Sequence, residues 1–283
     1  MQCVGVYVYK EKNIHKEAII DIVEFLSCRD ICVVMSQRLC TYIGRAEFGV
    51  DDDVLWSKPD VMIVLGGDGT LLGAARKAKE ASIPIFGINM GKLGFLSAAE
   101  TDDLPHALEE LLAGDYQVEE RMMIDCFIDD AYIGTAMNDV VLSRQSIARM
   151  MTICARVDGE VVDNYQADGL VISTPTGSTA YSFSAGGPIV SPTIECILIS
   201  AICPHSLYNR SVVVGAQSTI ELVPIDSRGD AVLTLDGQKT YPVCQNARVV
   251  IRRAQHSAKF IRLQGHNFYR VLRSKLTGMS PAE

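Results

Sequence analysis

The chain has 283 residues, 48% of them hydrophobic and 21% charged, the balance of a globular protein with a substantial core. Its formal net charge of −8 leaves no overall basic footprint, which argues against nucleic acid as a partner. A phosphate-bearing small molecule stays open, because backbone N–H groups and a few local cations suffice to bind one.

The nine cysteines are scattered and form no C-x-x-C pair, so a zinc site is not expected and a reducing, cytoplasmic setting is. The opening Met1-Gln2-Cys3-Val4-Gly5-Val6 lacks the basic and apolar regions of a secretory leader. The most apolar later stretch, residues 189–203, is broken by Pro192 and Glu195 and is too short to span a membrane.

In chain order, residues 3–9 read as a short strand. Asn13 can cap a helix reaching about Cys28, with Ile19, Ile20, Val23 and Leu26 at helical spacing. Residues 31–35 and 61–65 are apolar runs, the second of buried-strand type. It ends in Gly66-Gly67-Asp68-Gly69-Thr70, after which Thr70 opens a helical pattern to Lys79, with Thr70 as cap or phosphate ligand. Residues 84–88 again look like a strand and residues 104–112 like a helix. This β-α alternation predicts a parallel sheet with helices on its faces.

After Gly114 the pattern turns strand-rich. Turn signals recur at Asp129-Asp130, Asn138-Asp139, Asp158-Gly159, Asp168-Gly169, Gly186-Gly187-Pro188, Arg228-Gly229-Asp230 and Asp236-Gly237. Three segments are expected: residues 1–114 as an α/β phosphate-donor domain, 115–255 as a mostly β, sandwich-like substrate domain, and 256–283 as a tail with a final helix over 268–276 packing back on the first.

Glycines between a buried strand and a helix let a phosphate approach the backbone, and the helix N-terminus favours its charge. Gly66 to Thr70 lacks the Gly-Lys-Ser/Thr ending of a Walker loop and the G-x-G-x-x-G dinucleotide fingerprint. Glycines alone also fit a tight turn. Asp68 shifts the balance, since a carboxylate where anions bind is unfavourable unless it has chemical work. A second glycine segment, Gly87 to Leu96, follows the next strand, and its Lys92 could meet a phosphate. Further on, Thr174-Pro175-Thr176-Gly177-Ser178-Thr179-Ala180-Tyr181-Ser182-Phe183-Ser184 gathers hydroxyl donors with two aromatic rings, suited to ribose, base edge and phosphate. Taken alone, Asn138-Asp139 and Asp168-Gly169 are better explained as turns than as ligand contacts.

Together these residues resemble one family, the NAD kinases. The resemblance rests on Gly66 to Thr70, Gly87 to Leu96, Asn138-Asp139, Asp168 to Pro188, Pro204-His205-Ser206-Leu207 and Asp236-Gly237-Gln238. The Gly-Gly-Asp-Gly element is shared with phosphofructokinases and lipid kinases, whereas the Thr-Pro-Thr-Gly-Ser-Thr-Ala-Tyr run is the specific part.

The resemblance implies an active site between the two domains and transfer of the ATP γ-phosphate to the 2′-hydroxyl of the adenosine ribose of NAD. It implies Asp68 as catalytic residue, orienting that hydroxyl and accepting its proton late. Gly66, Gly67, Gly69 and Thr70 would face phosphate. Asp68, Gly69, Asn138, Asp139, Arg149, Gln166, Asp168, Thr179, Ala180, Tyr181, Ser182, Phe183, Ser184 and Gln238 would hold NAD. It further implies Mg2+ brought with ATP, no metal held by the protein itself, no nucleic acid or membrane partner, and a homodimer or homotetramer. Two positions depart from the family pattern: Asp139 stands where Glu is usual, shortening its reach, and Gln166 where Arg is frequent. The first strand also lacks the Asn/Pro-rich turn many members show after it.

Overall fold

The computed structural model describes residues 1–9, 16–91, 94–145, 150–206, 210–226, 231–265 and 267–277. The expectations at Asn13, Lys92, Arg149 and Leu207, and the turn at Arg228-Gly229-Asp230, lie outside these residues. Two compact units are present: Met1–Glu120 together with Ala258–Glu283, and Arg121–Ser257.

The chain begins with β1 (Cys3–Val8), α1 (Lys16–Ser27), β2 (Cys32–Ser36), α2 (Gln37–Ile43), β3 (Gly49–Val50) and α3 (Asp52–Leu55). It continues through β4 (Val61–Leu65), α4 (Asp68–Ala78), β5 (Ile85–Asn89), β6 (Ala99–Glu100), α5 (Leu104–Ala113) and β7 (Tyr116–Arg121). The short helix α2 went unread in the sequence. It is capped by Ser36, whose hydroxyl accepts the Leu39 N–H, and it ends at Gly44 with φ of 78°.

The next strands are β8 (Ile124–Ile128), β9 (Ala131–Ala136), β10 (Asp139–Arg144), β11 (Met151–Val157), β12 (Glu160–Ala167) and β13 (Gly169–Ser173). A 3-10 turn (Thr176–Thr179) and the single-turn α6 (Tyr181–Ser184) precede β14 (Cys196–Ile202), β15 (Val212–Gly215) and β16 (Ile220–Asp226). Then come β17 (Ala231–Leu235), β18 (Lys239–Val243) and β19 (Val249–Arg253). The chain finally re-enters the first unit as β20 (Ala258–Leu263) and α7 (Phe268–Thr277).

The first unit is an α/β layer structure. Its sheet runs β3-β2-β1-β4-β5-β20-β7, with β6 beside β5. Every residue of β4 is buried, as its two-faced apolar sequence predicts. The β1–β2, β1–β4 and β4–β5 pairs are parallel. Strand order reverses between β1 and β4, so the carboxyl end of β4 lies at a topological switch point, where open α/β sheets bind ligands. Ile19, Ile22, Val23 and Leu26 of α1 and Leu104, Ala107, Leu108 and Leu111 of α5 join the strands in one apolar cluster.

The second unit is built from two six-stranded sheets, β15-β14-β13-β10-β17-β18 and β12-β11-β16-β19-β8-β9. All the strand pairs described within them are antiparallel. Alternation is clear in β16 and β17, where every second residue is buried. One core draws on both sheets, with Val140, Leu142, Leu170 and Ile172 from the first and Ile124, Ile153, Leu222 and Val249 from the second. The expected fold class, a parallel α/β layer followed by a mostly β sandwich, is the one observed.

Candidate active site

In the first unit the glycine loop leaves the end of β4. Gly66 has φ of 148°, and a Cβ there would lie 2.7 Å from the Thr70 hydroxyl oxygen, so both backbone and neighbour demand glycine. Gly67 and Gly69 are different. Neither has a left-handed φ, and among the described residues no atom beyond the adjacent chain and helix backbone lies within 4 Å of a Cβ built on either. The fold itself does not require glycine at those two positions, whereas close approach of an anion to the backbone does.

The helix begins two residues earlier than expected. Gly67 is its N-cap and Asp68 its first residue, which corrects the reading of Thr70 as the cap. Thr70 is inside the first turn, its N–H donating to the Gly67 carbonyl at 2.9 Å. Asp68 thereby gains the favourable end of the helix dipole.

The Asp68 carboxylate reaches across to the segment after β5. It accepts the N–H groups of Phe95 and Leu96, each at 3.1 Å. Gly94 N–H donates to the Ser97 hydroxyl at 2.8 Å, and Ala98 N–H to the Gly87 carbonyl at 2.8 Å. From the other side the buried Arg262 of β20 donates to the carbonyls of Phe95, Leu96 and Ser97 at 2.9–3.1 Å. Its Nε meets Glu119 at 2.6 Å. One segment is thus held through its N–H groups by Asp68 and through its carbonyls by Arg262. The Phe95 ring also packs at 6.0 Å from Phe268 of α7.

In the second unit the Asn138-Asp139 pair opens β10. The Asp236 carboxylate accepts the N–H groups of Met137, Asn138 and Asp139 at 2.7–3.2 Å. The Asp236 N–H returns a bond to the Asp139 carbonyl at 2.9 Å. Asp139 is itself buried, and its carboxyl is pushed up to about 7, first by burial and then by the charge of Asp236; the Tyr181 N–H it accepts opposes the rise. The Tyr181 phenol is raised as well, by burial first and then by Cys203, Asp139 and Asp168. Asp139, Tyr181, Asp168 and Asp236 therefore share one neighbourhood within this unit.

Asp168 lies between β12 and β13, and one of its oxygens pairs with Arg144 at 2.7 Å. Gln166 is exposed, and its carbonyl accepts the His205 N–H at 2.8 Å. Gln238 is exposed two residues beyond Asp236.

The hydroxyl-rich run, with Ser173 at the end of β13 before it, divides in two. Ser173, Thr174 and Ser178 are buried and bonded within the unit: Thr174 to the Met137 carbonyl at 2.6 Å, Ser173 to the Asn138 carbonyl at 3.1 Å, Ser178 to the Pro175 carbonyl at 2.6 Å. Ser182 is also buried, with its hydroxyl 3.4 Å from that of Ser200. Its side chain faces inward, against the expectation of a ligand contact. Thr179 and Ala180 are half-buried, while Tyr181, Phe183 and Ser184 are exposed. Tyr181 and Phe183, two residues apart, both leave their rings exposed. Three residues in these networks escaped the sequence reading: Arg144, Arg262 and, as a backbone acceptor, Asp236.

The residues from 51 to 116 match the ATP-NAD kinase N-terminal domain, and those from 137 to 263 the ATP-NAD kinase C-terminal domain. The chain belongs to the NAD kinase family. An NAD kinase of Symbiobacterium thermophilum is 40% identical over 262 residues, covering 91% of this chain and 93% of that protein. Among solved structures, an NAD kinase from Archaeoglobus fulgidus in complex with ATP is 27% identical, with a TM-score of 0.75 and coverage of 99% and 100% of the two chains. Yeast NADH kinase complexed with NADH shares the fold at 24% identity, with a TM-score of 0.88 and coverage of 99% of this chain and 88% of that one.

Proposed function

We infer that this NAD kinase family member transfers the γ-phosphate of ATP to the 2′-hydroxyl of the adenosine ribose of NAD, giving NADP and ADP. The observation that carries the reading is the Asp68 carboxylate at the N-terminus of α4, beside Gly67 and Gly69 at the switch point of the first unit's sheet. In our proposal residues 1–114 serve the phosphate donor, residues 115–255 the dinucleotide, and residues 256–283 complete the donor domain.

Phosphoryl transfer has a loose transition state, so positioning and charge neutralisation do most of the work. Gly66, Gly67, Gly69 and Thr70 present phosphate with the N-terminus of α4. Asp68 orients the ribose hydroxyl and takes its proton late, with general-base help worth about 10²–10⁴-fold. Asn138, Asp139, Gln166, Asp168, Thr179, Ala180, Tyr181, Phe183, Ser184 and Gln238 contact NAD in this reading, and Arg149 retains the role its sequence position suggests. The Ser182 side chain is left out, because its hydroxyl is buried against Ser200.

Among the described residues no group of three or more His, Cys, Asp or Glu is placed to hold a metal ion. We assign the divalent cation, Mg2+, to the substrate as its ATP complex. No helix among the described residues is long and apolar enough to cross a membrane. The proposal includes a cytoplasmic setting, which nine free thiols favour, and a homodimer or homotetramer without nucleic acid or membrane partners.

The test is direct. Purified protein with Mg2+, ATP and NAD is expected to form NADP, identified by mass. Binding of NAD without NADP formation would reduce the chain to a dinucleotide-binding module.

A further inference from the structure

Two thiols outside this chemistry meet in the first unit. β1 and β2 are parallel, and Cys3 pairs in register with Cys32. Both residues begin their strands, whereas the glycine loop leaves the carboxyl end of β4. The two sulfur atoms are 3.6 Å apart.

The backbone around them is fixed. Cys32 N–H donates to the Gln2 carbonyl at 3.0 Å. The Asp60 carboxylate accepts the N–H groups of Gln2 and Cys3 at 2.6 and 3.0 Å, and Asp60 N–H donates to the Cys3 carbonyl at 2.8 Å. Paired strands lie about 4.8 Å apart, inside the Cα separation of about 4.4–6.8 Å that a disulfide bridges.

The thiols are unequal. Cys3 is buried, and its thiol is pushed up to about 11 by burial, then by the hydrogen bond and charge of Cys32, with Lys58 opposing. Cys32 is exposed. Cys32 is the residue an oxidant can reach, and Cys3, held mostly protonated, resolves the adduct slowly through its small thiolate fraction at a sulfur already in contact.

We propose that Cys3 and Cys32 are a reversible redox pair, closed to an intramolecular disulfide by exchange with a low-molecular-weight disulfide and reopened by thiols. The Cys32 thiolate attacks one sulfur of the oxidant, whose S–S bond breaks and releases one thiol. The Cys3 sulfur then gives up its proton and attacks Sγ of Cys32, expelling the second thiol. Two protein thiols and one small disulfide become one protein disulfide and two small thiols. The bond forms between strands already set by their ladder, at the exposed Cys32 where small thiols can reach it.

The experiment treats the full chain with glutathione disulfide, blocks remaining thiols, and maps the peptides by mass without reduction. The expected product is a Cys3–Cys32 linked peptide that dithiothreitol reopens. Cys28→Ser should leave this link unchanged, and Cys3→Ser should instead accumulate a glutathione adduct on Cys32. A wild-type chain that retains the adduct on Cys32, joins Cys32 to Cys28, or leaves Cys32 free while Cys28 reacts overturns the proposal.

Discussion

The carboxylate of Asp68 occupies the space that a side chain at Gly94 would need. Asp68 opens α4 whereas Gly94 lies in the segment after β5, and the contact arises because Asp68 reaches the N–H groups of Phe95 and Leu96 just beyond. Gly94→Ala is therefore expected to push Asp68 aside while leaving the core untouched. Misplacing a reacting group by about 1 Å can cost about 10²-fold. Steady-state kinetics should show kcat falling by that order, with an unchanged circular dichroism spectrum. A variant with wild-type kcat would separate Asp68 from the chemistry.

Asp68→Asn removes the charge at nearly constant shape. We expect kcat to fall by about 10²–10⁴-fold, with the Kd for NAD preserved in a calorimetric titration. Equal loss of both would instead assign Asp68 to substrate binding.

Arg262 is buried and holds three carbonyls and Glu119. Arg262→Met removes the donor shared by the Glu119 carboxylate and three backbone carbonyls. Breaking such a pair costs about 3–5 kcal/mol, which urea unfolding would register as a lower midpoint. Arg262→Lys should recover little, because one ammonium cannot reproduce the fork of donors.

Asp139 gives the fold a pH dependence of definite sign. Its carboxyl is raised from 3.8 to about 7. Below the unfolded value both states are protonated and the site imposes no penalty. As pH rises, the unfolded chain releases the proton first, so this contribution to stability declines and levels off above about 7. The total is about 4 kcal/mol at most. Asp139→Asn, which can still accept the Tyr181 N–H, should flatten thermal stability between pH 4 and 7 and raise it at pH 8 relative to wild type. An identical pH profile in the variant would refute the assignment.

Tyr181 presents its ring to solvent. Base–aromatic stacking is worth at least about 1 kcal/mol, so Tyr181→Ala should weaken NAD binding roughly fivefold or more, read as Kd by fluorescence or calorimetry.

The elements carried by local pattern were legible in the sequence. β4 announces itself as an apolar run on both faces, and the antiparallel unit by closely spaced turn residues. The start of α4 was not, because Gly67 caps it without a side chain and no local residue marks the helix entry. The hydroxyl-rich run was read as a set of ligand donors. Thr174 and Ser178 instead spend their hydroxyls on backbone carbonyls, a choice that only the packing of the turn reveals. Arg262 and Asp236 were beyond reach for a related reason. Arg262 meets Leu96 across 166 positions, and Asp236 meets Asn138 across 98. A lone Arg in a strand or an Asp before Gly carries no local sign of a distant backbone partner.

The return of β20 between β5 and β7 also sets an order of events on the ribosome. The second unit is one continuous stretch and can close as soon as it emerges. The first unit was started earlier, yet its sheet lacks an interior strand until residues 258–263 have been made. Synthesis from the amino end thus yields a half-finished sheet with the buried-type strands β4 and β5 already in place. That nascent edge keeps apolar strand surface uncovered until β20 fills it.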